Sequence, residues 1–185
     1  MTYPDQPSRL NRGLPAEKFL KEHWGKQSLV VLAAFDGLDG IVEPDDLAGA
    51  ACESESDARI VVGGDEAADW VAEQGPFDET TFENLPESQW TLLVQGVDAW
   101  NPQVAALKDA FDFLPAWCLD DVMVSFSAAG GGVGPHFDQY DVFLIQAGGR
   151  RRWRLGQRCS DATPLADNTT LKLLDTFHET QAKRS

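Results

Sequence analysis

Cysteine is sparse in this sequence: Cys52, Cys118 and Cys159 are odd in number, widely spaced and form no CxxC pair. Neither a disulfide framework nor a zinc knuckle is indicated, and ordinary reduced thiols are expected. No apolar run approaches the roughly 18 to 20 residues that cross a bilayer, and the first residues, Met1 to Pro7, lack a basic stretch followed by an apolar one. The expectation is a cytoplasmic chain with no membrane partner. Basic residues are almost missing from one long segment. Between Asp36 and Trp90 there are 16 Asp or Glu against Arg59 alone, a balance that equals the net charge of the whole chain, −15. Such a segment disfavours nucleic-acid phosphate as a direct ligand. It can steer a basic partner, or it can serve simply as a solvated face.

What is present is enough apolar surface for one core: 185 residues, 43% of them hydrophobic, with ten Phe and six Trp. The chain is read as a single domain over residues 1–185, a helical and acidic cover over about 1–89 and barrel strands over about 90–185. Pro15 to Trp24 has the spacing of a short amphipathic helix, and Ser28 to Ala33 (SLVVLA) reads as a buried strand. Glu43 to Ala51 looks like a helix entered through Pro and acidic residues. Strands are expected at Ala58 to Val62, Trp90 to Gln95 and Val122 to Ser127. A helix is expected from Gln103 to Phe113, stopped by Pro115. Asp141 to Ala147 and Arg151 to Gly156 read as a hairpin around Gly148-Gly149. Short strands joined by hairpins after a mixed α/β lead-in point to a mainly β fold, an antiparallel double-sheet barrel of the jelly-roll or cupin kind.

Chemistry concentrates in Gly130-Gly-Gly-Val-Gly-Pro-His136-Phe-Asp138-Gln-Tyr140. On a strand, residues two apart share a face and lie about 6 to 7 Å apart along the backbone, so His136 and Asp138 would converge. Imidazole with carboxylate suits non-haem Fe(II), for which two histidines and one carboxylate leave positions open for co-substrate and oxygen. A hydrogen-bonded pair at a strand edge is the plainer alternative. Four glycines before Pro135 favour the metal reading, because a plain edge strand has no use for such backbone freedom. In the next expected strand Arg151 shares parity with Trp153 and Leu155, and Arg150, Arg152 and Arg154 share the opposite one. One guanidinium then faces inward, which is costly unless it meets an anion. A dicarboxylate co-substrate or an internal acidic side chain would supply it. Tyr140 is a candidate for the substrate pocket, and equally for the core.

The stretch GGGVGPHFDQYDVFLIQAGGRRRWRLG resembles the signature of the bacterial JmjC-type ribosomal oxygenases. The likeness extends to HWGKQSLVV, WTLLVQGVDAW and FLPAWCLDDVMVSFSAAGGGVG, so it covers most of the chain. The resemblance implies a double-stranded β-helix core and an Fe(II)- and 2-oxoglutarate-dependent hydroxylase of an arginine on ribosomal protein L16. It implies His136 and Asp138 as iron ligands and Arg151 as the partner of the distal carboxylate of 2-oxoglutarate, with O2 as the second co-substrate.

The family pattern also has a second iron-binding histidine on a later strand, within a PGD and PP segment, and then dimerising and winged-helix parts. None of these is found here, and the barrel is expected to be incomplete at the C-terminus. His23 and His178 do not match the missing ligand. Three readings follow: a hydroxylase shortened to the point of possible inactivity, a non-catalytic cupin-like module that binds a small carboxylate, and a remnant with an interaction role.

Overall fold

The computed structural model describes residues 9–10, 14–64, 69–167 and 171–184. Two short strands, β1 (Arg9–Leu10) and β2 (Leu14–Pro15), pair antiparallel. Helix α1 (Ala16–Glu22) follows, buries Phe19 and closes with the His23 N–H on the Phe19 carbonyl. Helix α2 (Pro44–Cys52) forms where the sequence provides for it. Pro44 lies in the first turn, Asp45 and Asp46 meet the positive end of the helix dipole, and Leu47 and Ala51, four residues apart, are both buried.

Strands β3 (Ala58–Val62), β4 (Val71–Gln74), β5 (Trp90–Val94) and β6 (Val124–Ser127) make one antiparallel sheet in the order β4-β3-β5-β6. Helix α3 (Glu79–Glu83) lies between β4 and β5, its first turn capped by the Asp78 carboxylate, which accepts from Thr81 N–H at 2.9 Å. The helix expected over 103–113 is split. It begins as α4 (Pro102–Ala105) and continues as a tighter 3-10 winding over Ala106–Phe111, which is common at helix ends.

The register Ile60↔Leu92↔Phe126 fixes which side of the sheet is the core. Ile60, Leu92 and Val94 pack with Leu47 and Ala51 of α2 and with Phe77, Val97 and Val104. Each fully buried side chain of this size contributes about 1.5 to 3 kcal/mol. By alternation the other side carries Val61, Thr91 and Leu93, with Ser125 and Ser127 from β6.

Two expected strands are not found. Ser28 to Ala33 is not part of any sheet, and Leu29, Val30 and Leu32 are exposed, Leu32 to 72%. A β-branched run becomes a strand only where a neighbour completes its ladder, and here none does among the described residues. The hairpin around Gly148-Gly149 is likewise absent. Strand β7 (Arg152–Gly156) pairs instead with β8 (Glu179–Arg184), antiparallel, with an irregularity at Leu155/Gly156. Residues 141–147 form no strand and pair with none among the described residues. They alternate nonetheless: Phe143 packs on Phe111 at 4.2 Å between ring centres and on Phe19 and Trp24, while Val142 and Leu144 face out.

Asp98 ties the start of β6 to the helical crossing. Its Oδ1 accepts from Val122 N–H and its Oδ2 meets Lys108 Nζ, both at 2.8 Å. Burial pushes this carboxyl up, but the Lys108 ammonium and the Val122 amide outweigh it and hold the group below the ordinary carboxylate value. A group lowered on folding stabilises above its unfolded value and loses that contribution as pH falls through its folded value. Asp98→Asn is expected to cost about 1 to 2 kcal/mol in urea unfolding at neutral pH. The difference from the unaltered chain should shrink below about pH 4.

Candidate functional site

The glycine-rich loop after β6 is bound back onto β5. Ala128 N–H donates to the Trp90 carbonyl at 3.1 Å, Gln89 N–H to the Ala129 carbonyl at 2.8 Å, and Gly131 N–H to the Ala128 carbonyl at 2.9 Å. At Gly131 a side chain has no room: a Cβ would stand 2.1 Å from the Trp90 carbonyl oxygen. Gly134 needs its freedom for a different reason, a φ of +73°, with Leu173 packed where a Cβ would go. Leu174 N–H then donates to the Pro135 carbonyl at 2.8 Å, and Leu173 and Leu174 are both buried. His136 thus leaves a backbone fixed on both sides.

His136 and Asp138 do not lie in a regular strand, so the expected reason for their convergence, shared strand parity, does not apply. They converge all the same, with His136 Nε2 3.8 Å from Asp138 Oδ2. His136 Nδ1 lies 2.9 Å from the Gly134 carbonyl. A carbonyl can only accept, so Nδ1 carries the proton in this contact and leaves Nε2, on the side of the carboxylate, as the ring nitrogen available to a metal. The gap is too long for a direct hydrogen bond, yet two metal bonds of about 2.1 Å each can span it. Both side chains are about two-fifths exposed, at 39% and 41%. The pair therefore fits two donors of a metal site, reachable from solvent. Among the described residues no group of three His, Cys, Asp or Glu could hold an ion.

The other histidines stand elsewhere. His23 caps α1 and stacks on Phe19. His178 is exposed, in the connector that leads into β8, where it lines a shallow cavity of about 150 Å³ with Gln157 and Asp175.

Arg151 immediately precedes β7 and is half-buried, whereas Arg150, Arg152 and Arg154 are exposed, as the parity of the run predicts. Its guanidinium donates to Ser127 Oγ on β6, and its Cζ lies 5.7 Å from the centre of the Trp153 ring. Burial pulls it below the ordinary arginine value, and an arginine remains charged regardless. Ser127 Oγ lies 2.8 Å from Thr91 Oγ1. Neither hydroxyl was singled out from sequence. The signal available was the alternation Val124-Ser125-Phe126-Ser127 and a lone hydroxyl in Trp90-Thr-Leu-Leu-Val94. Tyr140 is 75% exposed, so it is not a core residue.

Residues 106–183 match the JmjC domain. The chain is 49% identical over 140 residues to the ribosomal protein uL16 3-hydroxylase of Escherichia coli (strain K12), covering 76% of this chain and 36% of that protein. A probable ribosomal oxygenase of Haemophilus influenzae is 37% identical over 163 residues, which is 88% of this chain and 40% of that one. An X-ray structure of E. coli YcfD superposes with a TM-score of 0.84 at 42% identity, over 92% of this chain and 45% of that chain. A structure of YcfD, a ribosomal oxygenase, in complex with cobalt and 2-oxoglutarate gives a TM-score of 0.80 at 41% identity, over 95% and 44%. This chain is a JmjC-domain homologue of the bacterial ribosomal oxygenases. Its fold is the JmjC-like double-stranded β-helix read from the sequence, present in part. The chain spans 36% to 45% of the length of these relatives. Among the described residues no helix is long and apolar enough to cross a membrane.

Proposed function

We propose that this JmjC chain carries the co-substrate half of an Fe(II)- and 2-oxoglutarate-dependent protein hydroxylase whose target is an arginine of ribosomal protein L16. The observation that carries the reading is the pairing, in one loop and strand system, of a tautomer-fixed imidazole facing a carboxylate with a half-buried guanidinium. His136 and Asp138 would hold the metal, and Arg151 would receive the distal carboxylate of 2-oxoglutarate. Tyr140, exposed two residues past Asp138, would stand on the substrate side. Bound iron supplies the activation of O2 that protein side chains cannot perform alone. The residues of the chain orient: Gly134 fixes the His136 tautomer, Ser127 holds the guanidinium, and the buried leucines Leu173 and Leu174 brace the loop. The acidic segment between Asp36 and Trp90 suits a basic protein substrate. A cytoplasmic setting and a single domain belong to the same reading, with the expected cover up to about residue 89 also lending β3 and β4 to the sheet that β5 and β6 continue.

The test is succinate release and mass spectrometry of an L16 peptide after incubation with Fe(II), 2-oxoglutarate and O2. Succinate matched by one added oxygen atom on an arginine is expected, and both should vanish in His136→Ala. Background succinate from the unaltered chain would refute turnover. A second reading draws on the lack of a third donor among the described residues: a carboxylate-binding module without catalysis. Calorimetry separates the two, because only the module binds 2-oxoglutarate equally well with and without a divalent metal.

A further inference from the structure

Thr91 is fully buried in the middle of the four-stranded sheet and is the one buried polar residue among those described. A hydroxyl in that position costs free energy unless it is bonded. Its partner stands directly across the β5–β6 ladder, where Thr91 faces Ser127 and the two side-chain oxygens are 2.8 Å apart. Ser127 Oγ is also the atom to which the Arg151 guanidinium donates. Contacts thus run from the buried sheet to the one half-buried cation of the Arg150–Arg154 run. A serine hydroxyl has three staggered positions. The bond to Thr91 selects one of them and so determines where the serine lone pair meets the guanidinium.

We propose that Thr91 is a positioning residue for co-substrate recognition: through Ser127 it sets the direction in which Arg151 presents its planar fork to a carboxylate. The proposal rests on the reading of Arg151 as the partner of the distal carboxylate of 2-oxoglutarate. It has a consequence that a packing role alone lacks. Only a ligand carrying that carboxylate should register the loss of the Thr91 hydroxyl.

The experiment is calorimetric titration of the 185-residue chain with 2-oxoglutarate and with 2-oxopentanoate, each in the presence of Mn(II). 2-Oxopentanoate keeps the oxo-acid end and has a methyl group in place of the distal carboxylate. Thr91→Val, which keeps the shape and removes the hydroxyl, should weaken 2-oxoglutarate binding about fivefold, the effect of one ordinary hydrogen bond, and leave 2-oxopentanoate unchanged. Thr91→Ser should restore the affinity. Equal weakening of both ligands, or of neither, overturns the proposal. Arg151→Met separates it from its premise. If that variant binds 2-oxoglutarate as well as the unaltered chain does, or if the unaltered chain does not bind it, the reading of Arg151 falls and the proposal with it. If Arg151→Met weakens binding and Thr91→Val does not, only the positioning role falls. Should Thr91→Val fail to fold, Thr91→Ala carries the same two-ligand comparison.

Discussion

Arg151→Met is expected to weaken 2-oxoglutarate binding by about a hundredfold, the scale of removing one partner from a desolvated charge pair. The size follows from where the guanidinium sits. Arg150, Arg152 and Arg154 are exposed, and a contact made by any of them is weakened by water, as in the exposed pair of Arg154 with Glu179 at 2.7 Å. Arg151 is drawn half out of solvent between Ser127 and the Trp153 ring. A carboxylate that reaches it meets a charge with less water to displace and a fork already oriented. Arg152→Met, one residue along on the exposed side, is the control and should change affinity less than twofold, as expected of a solvent-screened charge. Isothermal titration of both variants checks the pair. Equal effects would move the anion site off Arg151.

Gly131→Ala should be the most destabilising glycine-to-alanine change among the described residues, costing about 3 kcal/mol or more in denaturant unfolding. The added Cβ would lie 2.1 Å from the Trp90 carbonyl oxygen, 2.9 Å from its carbon and 3.0 Å from the Ala128 carbonyl oxygen. All three are backbone atoms, so no side chain can swing aside. Relief requires the loop to lift from β5, which breaks the Ala128-to-Trp90 and Gln89-to-Ala129 hydrogen bonds. The same loop carries His136 and Asp138, so metal affinity measured by Co(II) absorbance should fall along with stability. Gly148→Ala, where nothing lies within 4 Å of the added carbon, should stay within about 0.5 kcal/mol of the unaltered chain. A Gly131→Ala chain as stable as that control would show the loop is not held as described.

Local signals in the sequence were legible where the chain supplies its own partners. α2 announces itself through Pro44, two acids in the first turn and an i, i+4 apolar pair, and it forms there. β3, β5 and β6 lie where alternating and apolar runs put them, because β5 completes a ladder with β3 on one side and with β6 on the other. Ser28 to Ala33 and residues 141–147 carry the same composition without such a neighbour, so composition alone misplaced them. For β7 the strand was legible and its partner was not: the Gly148-Gly149 turn indicated a short-range hairpin, and the pairing goes to β8, more than twenty residues further on. The His136 and Asp138 pair was found through strand parity, although a histidine hydrogen bond to Gly134 and a braced loop are what bring it together. Ser127 and Thr91 were missed because hydroxyls in strands look like ordinary surface alternation until a cross-strand register puts them in one row.

The exposed row of Tyr140, Val142 and Leu144, on a segment that pairs with no strand among the described residues, has a practical corollary for handling this chain in solution. It is a ready seed for intermolecular cross-β stacking. The excess of fifteen negative charges opposes that stacking by colloidal repulsion, whose range contracts from about 30 Å at 0.01 M ionic strength to about 3 Å at 1 M. Dilute buffer thus keeps the molecules apart, and brine lets them clump.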